Sequence, residues 1–193
     1  GDDTVREVIQ GLFGGPGRLG ILPLGTFNNL ASSLLLPHHP VEAMVAALDG
    51  RDTEIDLGQV EGGSIFTESA GVGIDAEAWS LAPAEEPVGL WRWFTGIRLG
   101  LKALSTFRPK HIHITIDGHP IVEQVMQVTV ANARFFGAGI QMAPRARLQD
   151  GLLDVCVIPL MGKLQLLAAL PHVFRGRHLD RIPEVQYHQG RVI

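Results

Sequence analysis

The apolar residues of this chain change their spacing near residue 50, and that change limits the folds open to it. Before it the spacing is helical. Val5, Ile9 and Leu12 recur at one helix face, and Val41 through Leu48 form another apolar helical stretch. The first helix is expected over residues 4–13, ended by the loop Gly14-Gly-Pro-Gly17, and Pro40 and Asp49-Gly50 open and stop a later one. Between them Leu19–Leu22 reads as a short buried strand and residues 27–35 as a further helix. Beyond residue 50 apolar and polar residues alternate. Thr53–Val60 and Ser64–Ala70 read as hairpin partners. Lys110–Ile116 and Ile121–Ala131 read as a second pair, joined by the turn Asp117-Gly118. Leu152–Ile158 and Val185–Tyr187 add strands, and helical stretches interrupt at about 89–106 and 162–175. The expected class is α/β plus β: the end of a layered α/β domain over residues 1–50, then a mostly antiparallel, β-sandwich-like domain over 51–193.

Composition supports a folded chain and narrows its partners. Of 193 residues 46% are hydrophobic and 19% charged, enough apolar surface for a core. A net charge of −4 argues against a general nucleic-acid binder. The single cysteine, Cys156, lies in the apolar run Leu152–Ile158 and reads as a small buried residue, with no disulfide framework or zinc site. No apolar stretch approaches the ~18 residues of a membrane span, and no signal-peptide pattern opens the chain. A reducing, cytoplasmic setting is the expectation.

Three segments carry candidate chemistry. In Gly20-Ile-Leu-Pro-Leu-Gly-Thr-Phe-Asn-Asn-Leu-Ala31 an apolar run passes through Gly25-Thr26 into a helix. Such a junction gathers backbone N–H groups, a hydroxyl and amides where a helix dipole favours an anion. Gly25 lets backbone approach a ligand, and Thr26 and Asn28 can donate to phosphate or to ribose hydroxyls. The competing reading is that Thr26 or Asn28 only caps the helix. Gly1-Asp2-Asp3-Thr4 precedes another helix, and its two carboxylates suit a metal or a nucleotide, or equally a solvated acidic cap. The third segment, Asn132 to Pro144 and on to Asp150-Gly-Leu-Leu-Asp154, has a tight passage at Gly137 and Gly139. There Asp150 with neighbouring carbonyls suits a small hard cation, against the simpler reading of an Asp-Gly turn.

Taken together, these segments resemble the diacylglycerol kinase catalytic-domain family, the bacterial lipid kinases related to sphingosine kinases. Gly1-Asp2-Asp3-Thr4 with Glu7-Val8 is similar to the tail of the family's Gly-Gly-Asp-Gly-Thr loop and its Glu-Val continuation. Pro23-Leu-Gly-Thr-Phe-Asn-Asn-Leu-Ala31 resembles Pro-Leu-Gly-Thr-x-Asn-Asp-x-Ala, and Ser69-Ala-Gly-Val-Gly-Ile-Asp75 resembles Gly-x-Gly-x-Asp-Ala. Ala143-Pro144 through Asp154 resembles the Ala-Pro…Asp-Gly-Leu-Leu-Asp segment. Two positions depart from the pattern. Asp3 stands where the loop has Gly, adding bulk and charge, and Asn29 stands where the second motif has Asp, a position at which sphingosine kinases also vary.

The resemblance implies an ATP-dependent lipid kinase that moves the γ-phosphoryl to a diacylglycerol-like or sphingoid hydroxyl. It implies that Asp2 and Thr4 contact the nucleotide, that Gly25, Thr26 and Asn28 line an interdomain cleft beside the phosphates, and that Asp150 holds Mg²⁺. Glu7 either helps order the first loop or is a solvated surface residue. Residues 1–50 would be the C-terminal part of the nucleotide-binding domain, and 51–193 an incomplete lipid- and metal-binding domain. The family pattern has further βα units before Gly1 and an acidic general base beyond Ile193, so the stretch by itself is expected to lack turnover. The partner expected is a lipid at a membrane surface, with no nucleic acid and with a homodimer as an open option. The setting is cytoplasmic, with peripheral membrane contact allowed. Trp91, Trp93 and Phe94 with Arg92, Arg98 and Lys102 suit either an interfacial helix or a core helix with solvated charges. Two other readings stay open: an NAD-kinase-like enzyme, which shares the glycine-rich loop, and a non-catalytic lipid-binding or regulatory module, which Asp3 favours.

Overall fold

The computed structural model describes residues 1–80 and 90–193. Its N-terminal part is helical: α1 (Asp2–Leu12), α2 (Asn29–Ser33) and α3 (Pro40–Asp49). A two-stranded hairpin follows, β1 (Gly58–Gln59) with β2 (Ile65–Phe66). Then come β3 (Ser69–Gly73), α4 (Ile74–Ser80), α5 (Leu90–Thr106), β4 (Lys110–Ile116), β5 (His119–Ala131), β6 (Leu153–Pro159), α6 (Lys163–Phe174), α7 (His178–Arg181) and β7 (Gln186–Gly190). The result is a mixed α/β chain whose larger part is an antiparallel sheet.

β5 is the spine of that sheet. β4 pairs with its first half and β3 with its second, while β6 runs along the opposite edge and carries β7 beyond it. The register of β5 on β6 slips between Val125 and Gln127, leaving Met126 as a bulge. Apart from Asp154, β6 is apolar because both sheet faces are covered. Val155 and Val157 join Val125, Val128, Ile114 and Ile116 on one face, whereas Cys156 and Ile158 join Leu104 of α5, Phe107 just after it, and Leu166 and Val173 of α6 on the other. Each such side chain contributes roughly 1.5–3 kcal/mol by leaving water. Cys156 is a free, fully buried thiol that burial pushes up to about 12, so it packs as a small hydrophobe. The turn Asp117-Gly118 has φ of 46° and 85°, both left-handed, as a tight hairpin between twisted strands demands.

The helical part shares a core with the sheet. Val5 and Ile9 of α1, Ile21, and Leu30 and Leu34 pack with Ile55, Ala133 and Leu148. Several expectations change here. Leu19–Leu22 forms no strand, because no neighbouring strand among the described residues offers a ladder; Leu24 N instead turns back onto Leu22 O at 2.8 Å. The helix expected over 27–35 is only Asn29–Ser33, bounded by left-handed residues at Asn28 and Leu35. Of Thr53–Val60 only Gly58–Gln59 enters a ladder, because Asp56 bonds instead to the loop before β6, its N–H donating to Leu148 O at 2.7 Å. α4 and α7 were not foreseen. The stretch at 89–106 is a helix from Leu90, but the side chains of Trp91, Arg92 and Trp93 lie outside the described residues. Phe94, Arg98 and Lys102 are exposed on it. Among the described residues no helix is long and apolar enough to cross a membrane.

Candidate functional site

The first two motif segments meet backbone to backbone. A Cβ on Gly25 would overlap the Cα of Gly1, so this glycine is required by close approach rather than by its dihedral angles. Next to this contact, Leu30 N donates to Asp2 Oδ1 at 3.3 Å, so a carboxylate of the first loop lies at the start of α2. α2 has only five residues, and this N–H is already satisfied from within the protein. The dipole argument for an open anion site at α2 therefore loses ground, while α1, with eleven residues, keeps it.

Asn28 has a different task from the one its motif suggested. Its backbone is left-handed (φ 52°), which asparagine tolerates, and its side chain is buried. Oδ1 accepts from Gly25 N at 2.8 Å, while Nδ2 donates to Gly25 O at 2.8 Å and Pro23 O at 3.2 Å. It makes no side-chain cap to α2 either. Asn28 folds the Pro23–Asn28 loop and presents Thr26 outward. Thr26 and Thr4 are exposed, and Asp2 is half-buried.

Asn29 ties this cluster to the sheet. Its Nδ2 donates to Gly137 O at 2.9 Å and to Glu68 Oε2 at 3.1 Å. Gly137 is left-handed (φ 55°) and opens the tight passage expected there. Glu68 was not foreseen. The only hint in the sequence is an acidic residue inside Phe66-Thr-Glu-Ser69, at the threshold of a strand. Burial first and the charge of Asp2 second raise the Glu68 carboxyl to about 8; the Asn29 amide opposes them, and a hydrogen bond to Asp2 and the charge of Asp3 add to the rise.

Such a raised carboxyl adds stability while protonated. The contribution is full below the ordinary glutamate range near 4.5 and is lost as pH rises to about 8. Stability is therefore expected to fall across that window by an amount on the order of a few kcal/mol, discounted for the remaining exposure. Glu68→Gln should flatten the slope, matching the parent at acid pH and exceeding it above pH 8. Urea midpoints from pH 4 to pH 9 check this, and parallel curves for the two proteins would contradict it.

A string of hydrogen bonds continues from Glu68 to the third segment. Glu68 O accepts from Asn132 N and Ala133 N, and Asn132 Nδ2 donates to Thr67 O and to Asp56 O. Asp56 Oδ2 accepts from Gly151 N at 2.7 Å, and Asp150 Oδ1 accepts from Leu152 N at 3.1 Å. Asp150 thus closes its own turn, as the simpler reading has it, and retains one oxygen. Asp56 is a second carboxylate at the same turn. Asp154 is fully buried; burial raises its carboxyl, which faces the Tyr187 hydroxyl, and the charge of Asp150 adds to the rise. Among the described residues no three His, Cys, Asp or Glu gather as a metal cage.

The motif Ser69–Asp75 is used by the fold. Gly71 and Gly73 bring β3 against β5, where Gln127 Oε1 accepts from Asp75 N at 3.2 Å. A groove of about 360 Å³ opens between the end of α2 and the loop after β5, lined by Ser32, Leu35, Leu36, His38, Arg134 and Phe135. Thr26 does not line it. The histidines His111 and His113 face solvent, as alternation required.

Comparison with known proteins accounts for both parts of the chain. Residues 1–60 match the diacylglycerol kinase catalytic domain, and residues 68–193 match the YegS C-terminal NAD kinase beta sandwich-like domain. A diacylglycerol kinase of Mycobacterium tuberculosis is 31% identical over 187 residues, covering 93% of this chain and 60% of its own length. One from Bacillus subtilis is 28% identical over 183 residues with the same coverage. The chain spans about 60% of the length of these relatives. The crystal structure of a diacylglycerol kinase from Bacillus anthracis superposes with a TM-score of 0.70 at 22% identity, covering 98% of this chain and 62% of that one, an agreement of fold. The motifs, the antiparallel sheet and these matches agree: the chain belongs to the family that joins a diacylglycerol kinase catalytic domain to a YegS-type C-terminal domain.

Proposed function

We propose that the protein carrying this chain is an ATP-dependent lipid kinase, which transfers the γ-phosphoryl to a diacylglycerol-like or sphingoid hydroxyl. The observation that supports it most is the contact of Gly1–Asp2 with Gly25 and Leu30, which joins two motif loops into one polar surface. Phosphoryl transfer needs little covalent chemistry from the protein; it needs positioning and charge stabilisation. In this reading Gly25 shapes the nucleotide site by letting the Gly1 backbone approach it, and the exposed hydroxyls of Thr26 and Thr4 donate to phosphate oxygens. Asp2 orients the nucleotide, and Asn28 acts by holding the Pro23–Asn28 loop in shape. A lipid acceptor implies work at a membrane surface by a protein peripheral to it, and a homodimer is compatible with this.

Mg²⁺ is the second expected cofactor. The residues fit one mode of holding it: Asp150 and Asp56 each use one oxygen on the turn and keep another, and Mg²⁺ commonly takes one or two carboxylates plus waters. When bound it supplies charge neutralisation for the phosphates. Asp150→Ala, in a protein of the relatives' length, is expected to lower transfer at least ~10-fold and raise the Mg²⁺ needed. The lost turn bond should cost only about 1 kcal/mol of stability. A rate titration with Mg²⁺ beside a urea midpoint checks both, and unchanged metal dependence would leave Asp150 as a turn residue.

One observation favours a second reading, a non-catalytic lipid-binding or regulatory module. Asp3 is exposed in the first turn of α1, where its charge opposes a phosphate. An ATP titration separates the two: micromolar binding supports the kinase, and a folded protein without nucleotide affinity supports the module.

A further inference from the structure

Glu68 belongs to none of the motif segments, yet its side chain touches two of them and its carbonyl the third. Its Oε2 accepts from the Asn29 amide at 3.1 Å, and that amide is fixed a second time by Gly137 O at 2.9 Å. The Asp2 carboxyl lies close enough for its charge and a hydrogen bond to act on that of Glu68. Asp2 Oδ1 in turn accepts from Leu30 N at 3.3 Å. Glu68 itself is anchored through its own carbonyl, which accepts from Asn132 N and Ala133 N at 2.8 and 3.0 Å. Glu68 and Asp2 thus meet at the start of α2, one held by Asn29 Nδ2 and the other by Leu30 N.

The chemistry of these groups limits how Glu68 can act. Two carboxyls in contact at a half-buried position resist ionising together, which favours a shared proton. Asn29 can only donate through Nδ2, so the oxygen of Glu68 facing it must accept. Toward Asp2, whose side chain offers acceptor oxygens, a hydrogen bond requires that one of the two carboxyls carry a proton. A neutral carboxyl satisfies both demands at once, and an ionised one satisfies only the first. The charges that bear on Glu68 are those of Asp2 and Asp3 on α1, both negative, while α2 offers it a neutral amide.

We propose that Glu68 is a positioning residue for the nucleotide loop: as a neutral carboxyl it accepts from Asn29, donates to Asp2, and so holds Asp2 in register against Leu30 across the junction of the two parts. This rests on the reading of Asp2 as a nucleotide contact. It also accounts for Asn29, since an aspartate there would set a third carboxyl against Glu68 and Asp2 unless it too kept a proton. Above about pH 8 Glu68 ionises, repels Asp2 and releases the loop.

Glutamine carries the same acceptor and donor as a neutral glutamate, so Glu68→Gln and Glu68→Ala separate positioning from mere packing. The first readout needs no nucleotide: amide hydrogen exchange at Leu30 and at residues 3–5. Protection at pH 7 should be equal in the parent and Glu68→Gln and lower by at least ~10-fold in Glu68→Ala. Between pH 7 and 9 the parent should lose protection beyond the intrinsic pH effect, and Glu68→Gln should not. The second readout is ATP affinity at the same pH values, expected to follow the same order. Equal Leu30 protection in all three proteins overturns the proposal, as does a glutamine variant as exposed as the alanine one. Protection in the expected order without any ATP binding keeps Glu68 as the holder of the loop and removes the kinase reading instead.

Discussion

Asn132→Leu should destabilise the protein by about 3–5 kcal/mol, a large share of the roughly 5–15 kcal/mol that holds an ordinary domain together. Asn132 is fully buried, and its Nδ2 supplies both Asp56 O at 2.8 Å and Thr67 O at 3.1 Å. Leucine fills the volume but donates nothing, leaving two carbonyls without that donor, at about 1–3 kcal/mol each. The loss would also spread. Asp56 holds the Asp150 turn through Gly151, and Thr67 adjoins Glu68, so both outer members of the site lose their fixed points. A urea midpoint shift equivalent to less than 1 kcal/mol would show that water replaces the amide easily and that Asn132 is not the hub.

Gly25→Val is expected to abolish nucleotide binding with a much smaller effect on the folded core. Any Cβ at this position overlaps the Gly1 backbone and also meets Asn28 Oδ1 at 2.8 Å, so the two loops must part. Displacing a positioning element by about 1 Å can cost roughly 10²-fold in rate, and valine demands at least that movement. Thr26→Val is the control. Its side chain is exposed, so it should leave the loops together and reduce affinity only through one lost hydroxyl. ATP affinity and urea midpoints of both variants, measured in a protein of the relatives' length, test this. Binding by Gly25→Val within threefold of the parent would mean that the close approach of Gly1 and Gly25 plays no part.

What could be seen in the sequence follows from how local each feature is. Lys110–Ile116, Asp117-Gly118 and the strand after it were legible because alternation and a left-handed turn are properties of a few neighbouring residues. The run Leu152–Ile158 was legible as a strand, and only the sheet explains why it does not alternate: α5 and α6 cover one face and β4 residues the other. Leu19–Leu22 was misread because an apolar run becomes a strand only beside a partner, which local sequence does not specify. At Asn28 the residue was found, but not its use inside its own loop. Glu68 and Asp56 were missed for one physical reason. Their contacts join residues 39 and 95 positions apart, and no spacing rule reaches that far.

The most direct test of the account is transfer of label from radiolabelled ATP to lipid, using mixed micelles of diacylglycerol or sphingoid bases and a protein that carries this chain at the length of its relatives. The account predicts Mg²⁺-dependent label in the lipid fraction, retained largely by Glu68→Gln at pH 7 and lost by at least ~10²-fold in Gly25→Val. A folded protein that labels no lipid and binds no ATP would contradict it.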